Sequence, residues 1–362
     1  MQLEDRELRT NDTTMVGIIL TGKVTIVEVA KEAGVGPSTV SRVLNEQSVS
    51  EEKRQAVLQA IKKLNYRPNL MARNLRTSVS RLCGLVIPDI CNSFFGQIAG
   101  GAGAVLEKQG YELIITNTGQ KMSKQNEALQ TMVSRQVDGI MLCAIGGKGE
   151  LEAQINRNDC PIVILDNKLD QMDGLDSVMV DNIKGAYSLT EHLCMIGYKR
   201  IATITGPMEQ SSASERLTGF RKALADYNLK FDQEMIKESD FTIRGGAEAT
   251  RALLKKQPDA IVAANNHLAI GAIMELRQSG LEVPDDVAVV GFDDTEVGEL
   301  IDPPLTIVSQ PAVEMGETAA RLLLHRICSE DEAIPPQQRV LPTRLIVRSS
   351  CGFYKKIGSM AY

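Results

Sequence analysis

The chain has 362 residues, 43% of them hydrophobic, which is enough for two or three domains rather than one small domain. Its formal net charge is −6, and its seven cysteines include no CxxC pair, so neither a disulfide framework nor a zinc site is predicted. No apolar run reaches the roughly 18 residues of a membrane span, and residues 15–20 (MVGIIL) are too short for a signal-peptide core, so we expect a cytoplasmic protein.

The positive charge is concentrated near the amino end of the chain. Residues 23–80 contain ten Lys and Arg against five Glu, a net charge of +5, so the other residues carry −11 of the total. A small basic segment joined to a larger acidic body is typical of a DNA-binding domain fused to a second domain, although an ordinary solvated helical surface could give the same count. Residues 1–22, which show no clear period, are predicted to be disordered.

The segment 24–44 (VTIVEVAKEAGVGPSTVSRVL) has the pattern of a helix-turn-helix. Gly34 can adopt the positive φ of a tight turn, and the small Ala30 lets the two helices approach closely. The apolar residues of both helices are predicted to share a core: Val29, Ala33, Val35, Val40 and Val43. The polar residues left on the outer face of the second helix are Ser38, Thr39, Ser41 and Arg42. Such a face can enter the DNA major groove, where all four base pairs are distinguishable, so sequence-specific DNA binding is the first function predicted.

A third helix and a short linker follow. The helix is predicted from the N-cap Ser50 to about Leu64, with Val57 on its apolar face. Pro68 then breaks the helix within NYRPN. The next segment, 69–76 (NLMARNLR), has a helical pattern but is too short to fold alone, because helix nucleation is costly.

From Leu82 onward, short apolar strands alternate with helices in two successive series. The strands of the first series are predicted at 83–87, 112–116, 138–143, 161–165 and 177–180, with helices at 97–109 and 123–135. The second series has strands at 200–205, 259–263, 287–291 and 305–309, and helices near 183–196, 213–227, 245–256 and 266–279. This alternation predicts an α/β protein with two lobes, each a doubly wound parallel sheet covered on both faces.

Ligands of doubly wound sheets bind beyond the carboxyl ends of the strands. The loops predicted at those ends are rich in polar groups, and they are 88–95, 166–168, 206–216, 264–267 and 292–295. If the two lobes face each other, these loops line a cleft between them.

The ordered set of motifs in this chain resembles the LacI/GalR family of bacterial transcription repressors. The head motif VTIVEVAKEAGVGPSTVSRVLN (24–45) and the hinge motif YRPNLMARNLRT (66–77) come first. The core motifs follow in order: GLVIPDICNSFF (84–95), VDGI (137–140), EHLCMIGYKRIATITG (191–206), ERLTGF (215–220), GFDDTEV (291–297) and PPLTIVSQP (303–311). Each motif alone is weak, but the ordered set spans about residues 23–350 and is specific.

The resemblance implies an all-α helix-turn-helix head and a core like periplasmic sugar-binding proteins, whose two lobes are joined by three crossings of the chain. The expected ranges are 23–67 for the head, 68–80 for the hinge and linker, 81–180 with 311–338 for lobe one, 181–308 with 339–350 for lobe two, and 351–362 for a tail.

The resemblance also implies which residues meet DNA. The second helix of the family reads bases at positions that correspond to Pro37, Ser38 and Arg42, and Arg42 is suited to a bidentate contact with guanine. A phosphate contact or a free surface charge remains open for Arg42. Thr39 and Ser41 are expected to hold phosphates. The family usually has a Ser or Thr cap where this chain has Gly36.

In the family, the hinge becomes helical when two copies meet in the minor groove. Leu75 corresponds to a leucine that wedges between base pairs, although a plain linker with Leu75 packed on the core is the alternative. The other hinge residues expected at DNA are Asn69, Ala72, Arg73 and Arg76. Two heads on a pseudo-palindrome require a homodimer, and residues 349–362 contain no heptad repeat that would extend it to a tetramer.

The cleft residues of the family correspond to seven positions in this chain, which are Asp89, Asn92, Phe94, Phe95, Arg216, Asn265 and Asp293. Asp181, an eighth expected effector residue, lies with Asn182 at a crossing between the lobes and is expected to add contacts. An Arg, an Asn and an Asp that converge can hydrogen-bond vicinal hydroxyls, and a Phe face can cover a sugar ring. Phe95 is equally compatible with a core position. Asn266 stands where the family usually has Asp, which leaves its ligand contact open.

The sequence therefore predicts a repressor of a bacterial catabolic operon that leaves its operator DNA when a small sugar-like effector binds. A corepressor that tightens DNA binding, or a protein co-effector, remains an alternative. No catalytic residues, metal site, cofactor or membrane partner are predicted, because the three histidines are far apart and the glycine clusters 100–103 and 146–149 lack the P-loop pattern. A solute-binding receptor, the rival from another class, would need a signal peptide and no basic head.

Overall fold

The computed structural model of this chain describes residues 24–45, 47–66, 79–146, 160–169, 174–295, 298–329 and 334–354. The chain divides into two compact units, Met1–Ser78 and Val79–Tyr362. The predicted disorder of 1–22 and most of the predicted tail lie outside the described residues. So do the hinge residues expected at DNA, which are Asn69, Ala72, Arg73, Leu75 and Arg76.

The first unit contains the predicted helix-turn-helix, which is confirmed. Its helices are α1 (Ile26–Glu32), α2 (Pro37–Leu44) and α3 (Glu51–Lys63). A capping box between Thr25 and Glu28 begins α1, and Gly34 makes the turn to α2 at φ +65°. The three helices bury one apolar cluster: Val29, Ala30, Val40, Val43, Val57 and Ala60. Ser50 precedes α3 as predicted, but its side chain accepts no capping hydrogen bond.

The second unit alternates strands and helices along its length. Its strands are β1 (Leu82–Ile87), β2 (Glu112–Asn117), β3 (Gly139–Cys143), β4 (Ile162–Leu165), β5 (Asp176–Val180), β6 (Ile201–Thr205), β7 (Ile236–Glu238), β8 (Ala260–Ala263), β9 (Ala288–Phe292), β10 (Thr306–Ser309), β11 (Gln338–Leu341) and β12 (Arg344–Ile346). Its helices are α4 (Ser93–Lys108), α5 (Met122–Ser134), α6 (Asn182–Met195), α7 (Ser211–Asp226), α8 (Ile243–Leu254), α9 (Asn266–Gln278) and α10 (Ala312–Cys328).

The strands form two sheets, one in each lobe, which confirms the predicted fold class. The sheet of lobe one has the order β2-β1-β3-β4-β5-β11, and all of its pairs are parallel. The sheet of lobe two has the order β7-β6-β8-β9-β10-β12, in which only β12 is antiparallel to its neighbour. The buried clusters lie on both faces of each sheet, which accounts for the continuous apolar runs of the central strands.

Two expected boundaries differ from the structure. Residues 339–341, expected in lobe two, belong to β11 and pair with β5 in the sheet of lobe one, so the last crossing lies between Leu341 and Arg344. Cys351, expected at the start of a tail, is fully buried in the core of lobe two. The carbonyl oxygen of Cys351 accepts a hydrogen bond from the Tyr198 hydroxyl at 3.0 Å, which ties this segment to the lobe.

A close helix contact holds lobe one together. Gly101 of α4 lies against Val313 of α10, and a Cβ at position 101 would overlap the Val313 carbonyl oxygen. Gly316 of α10 lies equally close to the carbonyl oxygen of Ile98. The glycine cluster that lacked a phosphate-loop pattern therefore lets two helix backbones approach.

Candidate functional site

The predicted DNA-reading residues all lie on α2 at the surface of the head. Pro37, Ser38 and Arg42 are exposed, whereas Thr39 and Ser41 are half-buried. The helix is fixed from beneath by its buried Val40 and Val43. At its end, the Asn45 side-chain amide donates to the Ser41 carbonyl oxygen at 2.8 Å. The exposed side chains therefore stand on a rigid helix that is anchored by its other face.

Seven of the eight predicted effector residues come together in one cavity between the two lobes, which we name the inner cavity. Lobe one contributes Pro88, Asp89, Asn92, Phe94, Phe95, Gln120 and Asp166, and lobe two contributes Gln210, Ser212, Arg216, Phe241, Asn265 and Asp293. The structure does not bring Asp181 to this cavity. The exposed Asp181 side chain caps α6 instead, by accepting a hydrogen bond from the Lys184 N–H at 2.9 Å.

A larger outer cavity adjoins the inner one and shares part of its wall. The shared residues are Pro88, Asp89, Gln120 and Gln210. The outer cavity has a volume of about 1130 Å³, whereas the inner cavity has about 40 Å³ and is filled largely by its own side chains. A sugar ring can therefore enter the inner cavity only if the lobes separate or these side chains move.

Phe94 and Phe95 lie in the first turn of α4, not on the loop predicted at 88–95. The helix begins early because Asn92 caps it, with its side-chain oxygen accepting the Phe94 N–H at 3.0 Å. The two rings meet edge to face at 5.1 Å and also belong to the core of lobe one. Core packing therefore holds the rings in place at the cavity wall.

Arg216 projects from α7 and is almost completely buried, with 5% of its surface exposed. Its Nε donates to the Asn182 side-chain oxygen at 2.9 Å, and one terminal nitrogen donates to the Ala264 carbonyl oxygen at 2.6 Å. The guanidinium also lies over the Phe292 ring, 3.8 Å from its centre. These contacts fix the plane of the guanidinium and use two of its five N–H groups, which leaves donors for a ligand.

Two buried carboxylates, Asp166 and Asp293, share the cavity with Arg216. Burial raises the pKa of Asp166 to about 6, an effect that the Arg216 charge opposes and the Asp293 charge reinforces. Burial likewise raises the pKa of Asp293, whereas Arg216, a hydrogen bond from Gln310 and the charge of His267 lower it. Such perturbed carboxyl groups in a cleft are typical of functional sites.

Asp166 was not among the predicted site residues. Its position directly after β4, in the polar loop 166–168, was the available signal. The backbone there is left-handed (φ +68°), as it is at Asp293 (φ +69°). An Oδ of Asp166 accepts a hydrogen bond from the Asn167 side-chain amide at 3.0 Å.

Polar contacts between the lobes surround the inner cavity, and sequence reasoning did not find them. The side-chain amides of Asn92 and Asn266 exchange two hydrogen bonds of 3.1 Å each. The further contacts are Asn167 Oδ1 with the Ser212 N–H at 2.9 Å, Lys168 Nζ with Glu215 at 2.6 Å, and His267 with Asp89 at 3.9 Å. Asn266, which stands where the family usually has Asp, can both donate to and accept from Asn92 because it is an amide.

Comparison with known proteins identifies both units. Residues 25–69 match the family described as bacterial regulatory proteins, lacI family. Residues 80–356 match the family described as periplasmic binding proteins and sugar binding domain of LacI family. The HTH-type transcriptional regulator RegA of Clostridium saccharobutylicum is 36% identical over 329 residues, which cover 90% of this chain and 98% of RegA.

Two solved structures extend this similarity to the fold. A complex of the transcriptional regulator CelR with cellobiose has a TM-score of 0.70 at 34% identity and covers 90% of this chain and 99% of that chain. The lac repressor dimer bound to operator and the anti-inducer ONPF has a TM-score of 0.78 at 29% identity. That match covers 91% of this chain and 99% of the lac repressor chain. Among the described residues, no helix is both long and apolar enough to span a bilayer. The chain therefore belongs to the LacI family of bacterial DNA-binding transcriptional regulators, which are not enzymes.

Proposed function

We propose that this protein is a dimeric repressor of a catabolic operon, which leaves a pseudo-palindromic operator when a small sugar-like effector occupies the cleft between its lobes. The observation that carries the proposal is the convergence of Arg216, Asn265 and Asp293 from lobe two on the phenylalanines and Asn92 of lobe one. This combination of donors, acceptors and aromatic faces suits a ring that bears vicinal hydroxyls. The cellobiose bound by CelR is a ligand of this class.

The DNA side of the proposal rests on the exposed face of α2. Arg42 reads a guanine through two parallel hydrogen bonds, and Pro37 and Ser38 contact the neighbouring bases. Thr39 and Ser41 hold phosphates and set the register of the helix on the duplex. The hinge residue Leu75 opens a central base step, as the family resemblance implies.

In this proposal, effector binding and operator binding are coupled through the relative position of the lobes. An effector that contacts both walls of the cleft favours the closed arrangement, and we propose that this arrangement holds the two hinges of the dimer in a spacing that the operator does not accept. The coupling free energy of such regulators is typically about 1–3 kcal/mol, which corresponds to a loss of operator affinity of about 5- to 150-fold.

The test selects an operator from a random duplex library with the full-length protein and measures its affinity by fluorescence anisotropy at fixed salt. Neutral sugars, including ribose, glucose and cellobiose, are then titrated. We expect a selected site with two related halves, and at least one sugar that weakens binding. The absence of preference for any duplex over random competitor would overturn the proposal, and a sugar that tightens binding would replace release with corepression.

A further inference from the structure

The chain enters lobe one through two residues that a single carboxylate holds. Asp138 Oδ1 accepts hydrogen bonds from the backbone N–H and the side-chain hydroxyl of Ser80, both at 2.8 Å. Its Oδ2 accepts the backbone N–H of Arg81 at 2.9 Å. The Ser80 hydroxyl oxygen in turn accepts the N–H of Leu82, the first residue of β1, at 3.2 Å. We name this arrangement the linker clamp, because the residues before it join the helix-turn-helix head to lobe one.

The turn between α4 and β2 holds Arg81 from another side. The Arg81 carbonyl oxygen accepts the Glu112 N–H at 2.9 Å, and the guanidinium donates to the Gln109 carbonyl oxygen at 3.1 Å. The guanidinium also lies over the Tyr111 ring, 5.0 Å from its centre. These contacts hold Arg81 in the left-handed conformation, at φ +60°, which residues other than glycine rarely adopt. Lobe one therefore sets the direction in which the chain approaches β1.

Lobe two contains a counterpart of the linker clamp that holds no linker. Asp259, which directly precedes β8, accepts the backbone N–H groups of Lys199 at 2.9 Å and Arg200 at 3.0 Å, just before β6. Asp138 likewise precedes β3 and holds the residues before β1. The two carboxylates thus occupy equivalent places in the two sheets. They differ in what enters beside them, since α6 precedes β6 whereas the DNA-binding head precedes β1.

The linker clamp and the cleft lie at opposite ends of the same strand. β1 begins at Leu82, beside the clamp, and ends at Ile87, one residue before Pro88 of the inner cavity. The strand pairs with β2 on one side and β3 on the other, and its residues after Leu82 are buried. A close-packed central strand moves with its lobe. Any rotation of lobe one that accompanies ligand binding therefore carries the clamped residues with it.

We propose that Asp138 is a positioning residue that makes the DNA-binding head follow the orientation of lobe one. This inference rests on the proposed function, since it concerns how ligand binding in the cleft alters operator binding. With the linker clamp intact, the linker starts from a fixed point in a fixed direction. Without it, the chain before β1 gains conformational freedom that operator binding has to remove. The loosened segment then also absorbs the lobe movement, which no longer reaches the head.

The test compares two isosteric variants of the full-length protein, Asp138→Asn and Asp259→Asn. Each amide keeps one acceptor oxygen and turns its nitrogen toward a backbone N–H, so each variant loses one hydrogen bond and one negative charge. Fluorescence anisotropy at fixed salt measures the affinity for the selected operator, both without sugar and with a saturating amount of the neutral sugar that changes it most. Calorimetry without DNA measures the affinity for that sugar.

We expect Asp138→Asn to bind the operator without sugar at least about threefold more weakly than Asp259→Asn, which is within the contribution of one hydrogen bond. The ratio of operator affinities without and with sugar should move toward one by at least about threefold in Asp138→Asn alone. The sugar affinity should stay within about twofold of the natural protein, because the linker clamp is remote from the cleft. A role confined to lobe stability predicts equal effects of the two variants instead.

Equal operator affinities and equal ratios in the two folded variants would overturn the inference. If circular dichroism shows that Asp138→Asn does not fold, Ser80→Ala takes its place. This variant removes the hydroxyl from the linker clamp and keeps both backbone hydrogen bonds to Asp138. It should shift the operator affinity and the ratio in the same directions, and a folded Ser80→Ala that shifts neither would contradict the assigned role.

Failure of this inference is distinguishable from failure of the proposed function. If no sugar changes the operator affinity of the natural protein, the proposed release fails, and the affinities without sugar still decide the role of Asp138. If a sugar weakens operator binding equally in the natural protein and in Asp138→Asn, the proposed release stands and the linker clamp does not transmit it.

Discussion

Asp166, which lines the inner cavity, works against the stability of the fold. Its carboxyl is buried, and burial raises its pKa from 3.8 to about 6. Between these two values the folded state binds a proton that the unfolded state has lost. The free energy of unfolding therefore falls as pH rises from about 4 to about 6, and the loss is complete above the folded pKa.

We expect Asp166→Asn to be more stable than the natural protein at neutral pH. The amide removes the buried charge, and Asn tolerates the left-handed backbone at this position (φ +68°). The gain should be about 1–3 kcal/mol at pH 7.5 and should shrink toward pH 4.5. Urea unfolding at the two pH values measures it, with exposed Asp181→Asn as the control. A gain of equal size at both pH values would contradict the buried-charge explanation.

Arg42 allows a residue-scale test of base reading. Arg42→Ala should lower affinity for the selected operator by about 1–3 kcal/mol and relax the preference at one base pair. The control is Lys62→Ala, which removes an exposed positive charge from α3. Fluorescence anisotropy with the operator and with a random duplex distinguishes a base contact of Arg42 from a phosphate contact. An equal loss on both duplexes would assign Arg42 to a phosphate instead of a base.

At the scale of single residues, the sequence predicted site residues correctly where their position in a motif places them in a loop at the end of a strand. Seven predicted cleft residues meet in one cavity, because strand-end loops of two facing sheets converge. Asp181 had the right residue type, but it begins α6 and its side chain is used as a cap. Asp166 follows β4 in a polar loop, but the loop sequence reveals neither its burial nor its electrostatic interaction with Arg216 and Asp293, which lie far along the chain.

Helix α7 of lobe two receives its N-terminal capping hydrogen bond from lobe one. Gln210 stands at the N-cap position of α7 but makes no side-chain capping bond. Asn167 of lobe one accepts the Ser212 N–H there instead, at 2.9 Å. Since α7 also carries Arg216, contact between the lobes stabilises the helix that presents the main cleft cation.

Asn167→Ala should therefore weaken effector binding even though Asn167 does not line the inner cavity. Loss of a helix cap typically costs about 1 kcal/mol, and the capping bond to Ser212 exists only while the lobes are in contact. The variant also removes the hydrogen bonds that the Asn167 amide donates to Asp166 and to the Ala144 carbonyl oxygen within lobe one, so its free energy of unfolding is measured alongside. Calorimetry with the tightest neutral sugar measures the effect. Asp181→Ala, which removes the cap of α6 from within lobe two, should lower stability without weakening the sugar. Equal effects of the two variants on sugar affinity would contradict a role for the interlobe cap.

Among elements, strands with apolar runs were predictable and the polar edge strands were not. Eight of the nine predicted strands are largely buried, and the ninth, β2, is an edge strand of half-buried and exposed residues that its apolar run still revealed. The missed strands β7 (IKE), β11 (QRVL) and β12 (RLI) have three or four residues and carry polar side chains. They are strands only because a neighbouring strand offers free backbone groups, which no local pattern reveals.

For the whole molecule we expect a dimer in solution. Two heads are needed to read a pseudo-palindrome, and a dimer supplies them. Light scattering at low micromolar concentration should give twice the chain mass of 39.5 kDa. A monomer would be inconsistent with cooperative binding to both half-sites, and a tetramer would show that another surface joins the dimers.

The Gly101–Gly316 contact has a consequence for how the protein is made on the ribosome. The head is built from contiguous residues and can fold soon after it leaves the exit tunnel. Lobe one cannot, because α10 and β11 are synthesised only after the strands β6 to β10 of lobe two and the helices between them. Until then the apolar face that receives α10 is uncovered on the nascent chain, and translation halted before residue 312 leaves a product that exposes it.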